Sequence, residues 1–131
     1  MRGRQILPDG TVERTEDVFS GTLRAVGGGF SLRYRDEARA EDAEYLIADG
    51  TLTLARRGVC ASTLHFRAGE TDYTLYETPY GALGMNVTAK TLHLALGESG
   101  GTLAFAYTLT LEGEPMGSFD FLITVKEEDD Q

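Results

Sequence analysis

The sequence is poor in the residues that cross-link a chain or bind a metal. It has one cysteine, Cys60, in 131 residues, together with two histidines, three prolines and no tryptophan. A single cysteine excludes an internal disulfide framework, and the chain contains neither a CxxC motif nor a Cys/His cluster with the spacing of zinc ligands. One free thiol is typical of a reducing compartment, so we expect a cytoplasmic protein.

Basic residues and long apolar runs are also scarce. Twelve Lys and Arg stand against 21 Asp and Glu, which gives a formal net charge of −9. This balance argues against nucleic acid as a partner, because phosphate binding depends on neutralisation by Lys and Arg. No apolar run approaches the length of a membrane span, and the first ten residues lack the apolar region of an export signal. We therefore expect neither a nucleic acid nor a membrane as a partner.

Glycine, in contrast, is abundant. Sixteen glycines divide the chain into short segments of nearly even length, and within these segments apolar and polar residues alternate. A period of two is typical of β-strands rather than helices. The length predicts one domain with a core of its own. We assign residues 1–126 to a single β-barrel domain and residues 127–131 to an acidic C-terminal tail.

The alternation predicts eight to ten antiparallel strands and no amphipathic helix. The apolar sets of Leu83–Val87 and Leu92–Leu96 are out of phase, so the slip between them, near Thr88–Thr91, predicts a β-bulge or a bend. Arg35–Tyr45 lacks a broad apolar stripe, and we interpret it as a charged loop. A meander of this size removes its exposed edges by curling into a closed or nearly closed barrel. A two-sheet sandwich is the alternative.

Five segments in order resemble a known family. They read FSLRYRDE, TLTLARRG, YETPYG, GTLAFAYTLTLEGEPMG and ITVKEE, and they are similar to the YwiB-like proteins, a bacterial family of unknown function. The resemblance covers most of the chain and implies a calycin-type, lipocalin-like antiparallel β-barrel. Asp36 stands where the family usually has Glu, and the first strand looks short before the Leu7–Gly10 turn. The resemblance supplies no activity.

Two charged residues lie in phase with apolar ones and are therefore candidate site residues. Arg56 follows Leu54 by two residues and Asp36 follows Tyr34 by two residues, so each charged side chain shares a strand face with an apolar or aromatic one. A lone inward guanidinium is costly to desolvate, so we predict an Arg56–Asp36 pair with the hydroxyl of Tyr34 or Tyr76 nearby. Such a pair is either a structural salt bridge that sets strand register or an anchor for an anion or a polar head group.

The YETPYG segment supplies three further candidates. Tyr76, Thr78 and Tyr80 share one face, and tyrosine combines apolar area with a hydroxyl, which suits the wall of a pocket. The alternative is a tyrosine-rich strand end that caps the core at the Pro79 turn. We predict no catalytic residue, no metal and no cofactor, because no nucleophile motif, calcium loop or phosphate loop is present.

These observations favour a binding protein over an enzyme. The leading hypothesis is non-covalent binding of a small, partly apolar ligand in the barrel, with Tyr34, Asp36, Arg56, Tyr76, Thr78 and Tyr80 as its lining. The alternative is a protein-interaction or structural module whose barrel is filled by its own side chains. An open cavity that reaches Arg56 would favour the first hypothesis. The sequence leaves the oligomeric state open between monomer and dimer.

Overall fold

The computed structural model describes residues 2–7, 9–97 and 99–126, apart from the side chains of Arg2 and Arg4. This part of the chain is all-β, as predicted, but it contains eleven strands where eight to ten were expected. The acidic tail at 127–131 lies outside the described residues. The eleven strands are β1 (Arg2–Ile6), β2 (Val12–Glu16), β3 (Gly21–Val26), β4 (Gly29–Asp36), β5 (Glu41–Ala48), β6 (Thr51–Arg57), β7 (Ala61–Phe66), β8 (Thr71–Thr78), β9 (Gly81–Gly97), β10 (Gly100–Leu111) and β11 (Glu114–Lys126). No helix in the described ranges could cross a bilayer.

The strands form one antiparallel sheet in the order β2-β1-β11-β10-β9-β8-β7-β6-β5-β4-β3. Most neighbours are joined by tight hairpins. For example, the β5–β6 turn places Asp49 and Gly50 at φ angles of 51° and 73°, the backbone that an Asp-Gly hairpin turn requires.

The two end strands of this sheet, β2 and β3, run in the same direction. Ten antiparallel steps separate them, and each step reverses the strand direction once. The chain therefore passes from β2 through Asp17–Ser20 into β3 without turning back. This short link joins the two ends of the curled sheet covalently, although β2 and β3 are not hydrogen-bonded to each other in the described part of the chain.

Aromatic contacts show how strongly the sheet curls. Tyr45 on β5 and Phe105 on β10 are five strands apart in the sheet, which would place them roughly 24 Å apart if the sheet were flat. Their ring centroids are only 6.4 Å apart, and Phe66 on β7 lies 5.4 Å from Phe105. The sheet is thus rolled into a half-barrel whose opposite walls touch through aromatic rings.

The core confirms the predicted alternation on β6 and β10 and corrects one prediction. Leu52 and Leu54 are fully buried inside the half-barrel.

The prediction of a charged loop over Arg35–Tyr45 is wrong for the second half of that segment, because Glu41–Ala48 is a strand. Ala43, Tyr45 and Ile47 are buried in this strand. They are spaced two residues apart, so all three face the core while the charged residues between them face outward.

The predicted bulge is confirmed in β9. Ala106 on β10 pairs with Thr91, whereas the next residue, Tyr107, pairs with Ala89. Lys90 is therefore the extra residue on β9. Two apolar sets of opposite phase can face the same interior because of this single insertion.

Candidate functional site

Arg56 lies near the end of β6 and points into the half-barrel. Cross-strand pairing places it in the row Tyr34, Ala43, Arg56 and Ser62, which crosses β4 to β7. Ala43 and Ser62 are small, so the long guanidinium side chain has space beside it. Its side chain is 33% exposed, because this row lies at the open end of the core rather than in its middle.

Three tyrosines surround the guanidinium of Arg56. Tyr34, Tyr45 and Tyr107 all interact with it electrostatically, and the hydroxyls of Tyr34 and Tyr45 are 3.0 Å apart. Burial, together with the neighbouring Tyr45, raises the pKa of Tyr34 well above its ordinary value. Burial likewise raises the pKa of Tyr107 to about 12, although Arg56 opposes this shift. The phenols of Tyr34 and Tyr107 are therefore neutral at physiological pH.

The positive charge of Arg56 has no hydrogen-bonded carboxylate partner among the described residues. Burial alone would lower the pKa of Arg56, but Tyr45, Tyr107, Tyr34 and Glu41 together offset it, and the pKa lies above its ordinary value. Among the described residues its ion-pair partner is Glu41, with Nε 3.9 Å from Oε1. That separation is too long for a hydrogen bond.

The predicted Arg56–Asp36 pair is wrong. Asp36 accepts a hydrogen bond of 2.6 Å from Nη1 of Arg39 and another of 3.2 Å from the backbone N–H of Arg39. The tight turn that follows β4 brings residue 39 back over residue 36, so the local partner replaces the distant one. These bonds lower the pKa of Asp36 in spite of desolvation.

A cavity of about 230 Å³ lies at this end of the half-barrel and reaches both Arg56 and Asp36. Its apolar walls come from Tyr34, Phe119 and Phe121. The rest of the interior is filled by core side chains such as Phe105. Asp17, the first residue of the Asp17–Ser20 link, also lines the cavity.

Carboxylates outnumber guanidinium groups around this cavity. Among its described side chains, Arg39 and Arg56 are positive, whereas four are negative. The four are Glu13, Asp17, Asp36 and Glu41. This lining has a formal net charge of −2 and repels anions, so an anionic group would be attracted only in direct contact with Arg56.

Half of the six predicted site residues meet at the cavity. Tyr34, Asp36 and Arg56 line it. Tyr76 does not line the cavity but interacts electrostatically with Glu41 and Arg56. Its pKa is raised chiefly by a hydrogen bond with Cys60 and by burial, with smaller effects from these two residues.

Thr78 and Tyr80 lie elsewhere, at the β8–β9 hairpin. The hydroxyl of Thr78 donates to the carbonyl of Gly81 at 2.8 Å and accepts from the N–H of Tyr80 at 3.1 Å. Tyr80 is 100% exposed. These residues shape the turn around Pro79, and the fully exposed Tyr80 neither lines the cavity nor caps the core.

Sequence reasoning missed Glu41, Tyr45 and Tyr107 as parts of the site. Tyr107 was visible as one of the alternating residues of β10, but nothing in the sequence placed it beside Arg56. Tyr45 and Glu41 fell inside the segment interpreted as a loop. The alternation of Ala43, Tyr45 and Ile47 was the available signal.

A larger groove of about 500 Å³ lies on the outer face of β3 to β6. Its walls contain two ion pairs, Arg33 with Glu44 and Arg35 with Asp42, together with the exposed Arg57. It contains neither Asp36 nor Arg56. The smaller cavity has the aromatic walls and the loosely balanced cation, and we regard it as the candidate site.

Fold and cavity together define an antiparallel half-barrel with a small polar cavity at one end of a filled core. A family model described as a domain of unknown function, DUF1934, matches residues 1–123, so the chain belongs to this family. The crystal structure of the YwiB protein from Bacillus subtilis is similar, with a TM-score of 0.77 and 17% sequence identity over 95% of this chain and 89% of that chain. At this identity the similarity shows the fold alone. No curated protein matches the chain.

Proposed function

We propose that the protein binds, without covalent chemistry, a small and partly apolar ligand whose single anionic group contacts Arg56. The observation that carries this proposal is the state of that side chain. Its guanidinium opens onto a cavity, and its ion-pair partner in the described residues is 3.9 Å away. A carboxylate could accept two parallel hydrogen bonds from a guanidinium, which is a stronger and more directional contact.

The shape of the cavity supports a small ligand. A volume of about 230 Å³ is below the usual range for drug-sized ligands, roughly 300 to 1,000 Å³. Phe119 and Phe121 offer apolar contact area opposite the charged residues. The ligand therefore has an apolar part that faces these rings and a head group that faces Arg56.

In this proposal the half-barrel acts as a calycin-type, lipocalin-like container in the cytoplasm of a bacterium. The resemblance of five sequence segments to the YwiB-like proteins supports the architecture and the bacterial source. The single cysteine suits a reducing compartment. Nucleic acid and membrane are not partners in this proposal, because the net charge of −9 disfavours both phosphate backbones and anionic lipids.

A second candidate function is a protein-interaction or structural module. The observation that favours it is the filled middle of the half-barrel, where Tyr45, Phe66 and Phe105 touch across the interior. If the cavity holds only water, the outer surface is the functional part of the molecule.

Native mass spectrometry of the protein purified from its own host tests the proposal. We expect a retained small molecule with the wild-type chain and its loss with Arg56→Met, which keeps the length of the side chain but removes the charge. Arg57→Met is the matched control, because Arg57 is the next residue on β6 and is exposed. Absence of any retained molecule, or equal retention by both variants, would contradict ligand binding at Arg56.

The stability of a second variant separates an anchor from a structural pair. We expect ligand-free Arg56→Leu to unfold with nearly the wild-type free energy, because the contact with Glu41 is long. A loss of about 3 to 5 kcal/mol in urea denaturation would instead identify a buried structural ion pair.

A further inference from the structure

The sheet formed by the described residues ends in two edge strands, and they differ in charge. β2 pairs with β1 alone and β3 pairs with β4 alone. β2 reads VERTE, so three of its five side chains are charged, whereas β3 reads GTLRAV and has a single charged residue, Arg24. Charged side chains on an edge strand discourage pairing with a further strand. The edge of β3 is therefore the one that is open to pairing.

The two faces of β3 have different surroundings. Leu23 is partly buried and packs against the core, while the other five residues of β3 are exposed. Pairing with β4 places Leu23 opposite the buried Leu32. Since side chains alternate along a strand, Thr22 and Arg24 lie on the outer face. A strand added beside β3 would thus place every second side chain next to this outer face.

The outer face beside the edge of β3 is positively charged, unlike the chain as a whole. The charged side chains that β3 to β6 place on this face are Arg24, Arg33, Arg35, Arg57, Asp42 and Glu44. Four arginines against two carboxylates give the face a formal charge of +2, whereas the chain carries −9. Glu44 and Asp42 pair with Arg33 and Arg35. Within the described residues, Arg24 has no ion pair and no side-chain hydrogen bond.

We propose that the edge of β3 accepts an extended acidic segment of a partner protein, whose backbone pairs with β3 and whose outward carboxylates contact Arg24. Opposite charges that face each other on neighbouring strands stabilise the pairing. In strand addition of this kind the main-chain hydrogen bonds supply affinity, and the alternate side chains supply specificity. This docking surface lies on the outer face, and the inference does not rest on ligand binding in the cavity at Arg56.

A second copy of the chain fits this edge poorly. Two β3 strands paired with each other would bring together two Arg24 side chains, and β3 contains no carboxylate to offset them. Each copy also carries a net charge of −9, which opposes association of two copies. Charge complementarity thus favours an acidic segment from a different protein.

Titration with three synthetic peptides, followed by NMR, tests this inference. The probes are acetyl-Glu-Val-Glu-Val-Glu-Val-amide and its counterparts with Gln or Lys in place of Glu. We expect the Glu peptide to bind roughly two- to fivefold more tightly than the Gln peptide, and the Lys peptide to bind least. The amide hydrogens of β3 that point away from β4 should exchange more slowly in the complex, because they become paired. Absence of binding by the Glu peptide, or binding without slower exchange in β3, would overturn the proposal.

A variant pair tests the contact with Arg24. We expect Arg24→Gln to bind the Glu peptide roughly two- to fivefold more weakly than the wild type. Arg14→Gln is the matched control, because Arg14 is exposed on the other edge strand and its replacement changes the net charge equally. Equal affinity of the two variants would overturn the contact with Arg24.

Two further measurements separate this docking surface from its alternatives. A dimer in analytical ultracentrifugation that the Glu peptide dissociates would overturn the acidic partner in favour of a second copy. Arg56→Met should bind the Glu peptide like the wild type, because Arg56 points into the half-barrel. Loss of peptide binding in Arg56→Met would overturn docking at β3, whereas loss of a retained ligand in the same variant concerns the cavity alone.

Discussion

At the scale of single residues, Arg56 shows how a charged side chain fits the inner face of a sheet. A fully buried guanidinium would require a close carboxylate, but Arg56 lies at the end of β6, where its side chain keeps one-third of its surface. The hydroxyls of Tyr34, Tyr45 and Tyr107 and the more distant Glu41 provide a polar surrounding without a tight pair. This arrangement is compatible with exchange between solvent and a ligand.

Tyr107 makes the stability of the protein sensitive to alkaline pH. Its pKa rises from 10.0 to about 12 on folding, so the folded chain holds the phenol proton more tightly than the unfolded chain does. The stabilisation of the folded state by this proton is complete below pH 10 and is lost as the pH rises from about 10 to about 12.

Between about pH 9 and about pH 12, we expect the free energy of unfolding to fall by about 2 to 3 kcal/mol less in Tyr107→Phe than in the wild type, which is the equivalent of two pKa units. Urea denaturation at about pH 9 and about pH 12 measures it. Tyr80→Phe is the control, because Tyr80 is fully exposed, and it should follow the wild-type curve. A Tyr107→Phe curve as steep as that of the wild type would contradict the assignment.

At the scale of elements, the bulge in β9 decides which side chains reach the core. Before Lys90, the residues Met85, Val87 and Ala89 are buried, and after it the even-numbered leucines from Leu92 to Leu96 pack against the core. Without the extra residue the second set would face solvent, because a shift of one residue reverses the face of every side chain.

Deletion of Lys90 should therefore be strongly destabilising. We expect a loss of several kcal/mol or failure to fold, since three leucines would be exposed at about 1.5 kcal/mol or more each. Lys90→Ala keeps the bulge and should unfold close to the wild type, because the side chain of Lys90 is exposed. Circular dichroism and urea denaturation of both variants check this. A stable deletion variant would show that the bulge can move along β9.

At the scale of the whole molecule, aromatic rings connect walls that the sheet order keeps far apart. Phe105 contacts Tyr107 on its own strand, Phe121 on the neighbouring β11, and Phe66 and Tyr45 on the more distant β7 and β5. The curl of the sheet and the Asp17–Ser20 link together give the molecule one interior.

Phe105→Ala should destabilise the whole molecule and not one hairpin. We expect a loss of about 3 to 5 kcal/mol in the free energy of unfolding, with a single transition, because the cavity opens where opposite walls meet. Leu122→Ala, on the outer face of β11 and partly exposed, should lose about 1 kcal/mol or less. A loss for Phe105→Ala as small as that of Leu122→Ala would indicate that the walls do not depend on this contact.

The strand pattern is the part of the fold that sequence reasoning recovered best. The alternation on β6 and β10, the Asp49-Gly50 turn and the bulge near Lys90 are all local, because they depend on neighbours two residues apart. The loop assigned to Arg35–Tyr45 failed because the charged residues Asp42 and Glu44 hid a strand whose inner face is Ala43, Tyr45 and Ile47. The pairing of β5 with β4 and β6 turns that face toward the core, and this pairing cannot be read from the segment alone.

Local order in the chain thus determined most of the strands, the inward phase of Arg56 and Asp36, and the absence of a disulfide framework. The tertiary structure decided the rest of the site. It paired Asp36 with Arg39 through a tight turn, placed Glu41 at 3.9 Å from Arg56, and brought Tyr107 beside Arg56 from a distant part of the chain. Alternation specifies which face a side chain takes, but its neighbours on that face depend on how far the sheet curls, which the pattern of any one strand does not contain.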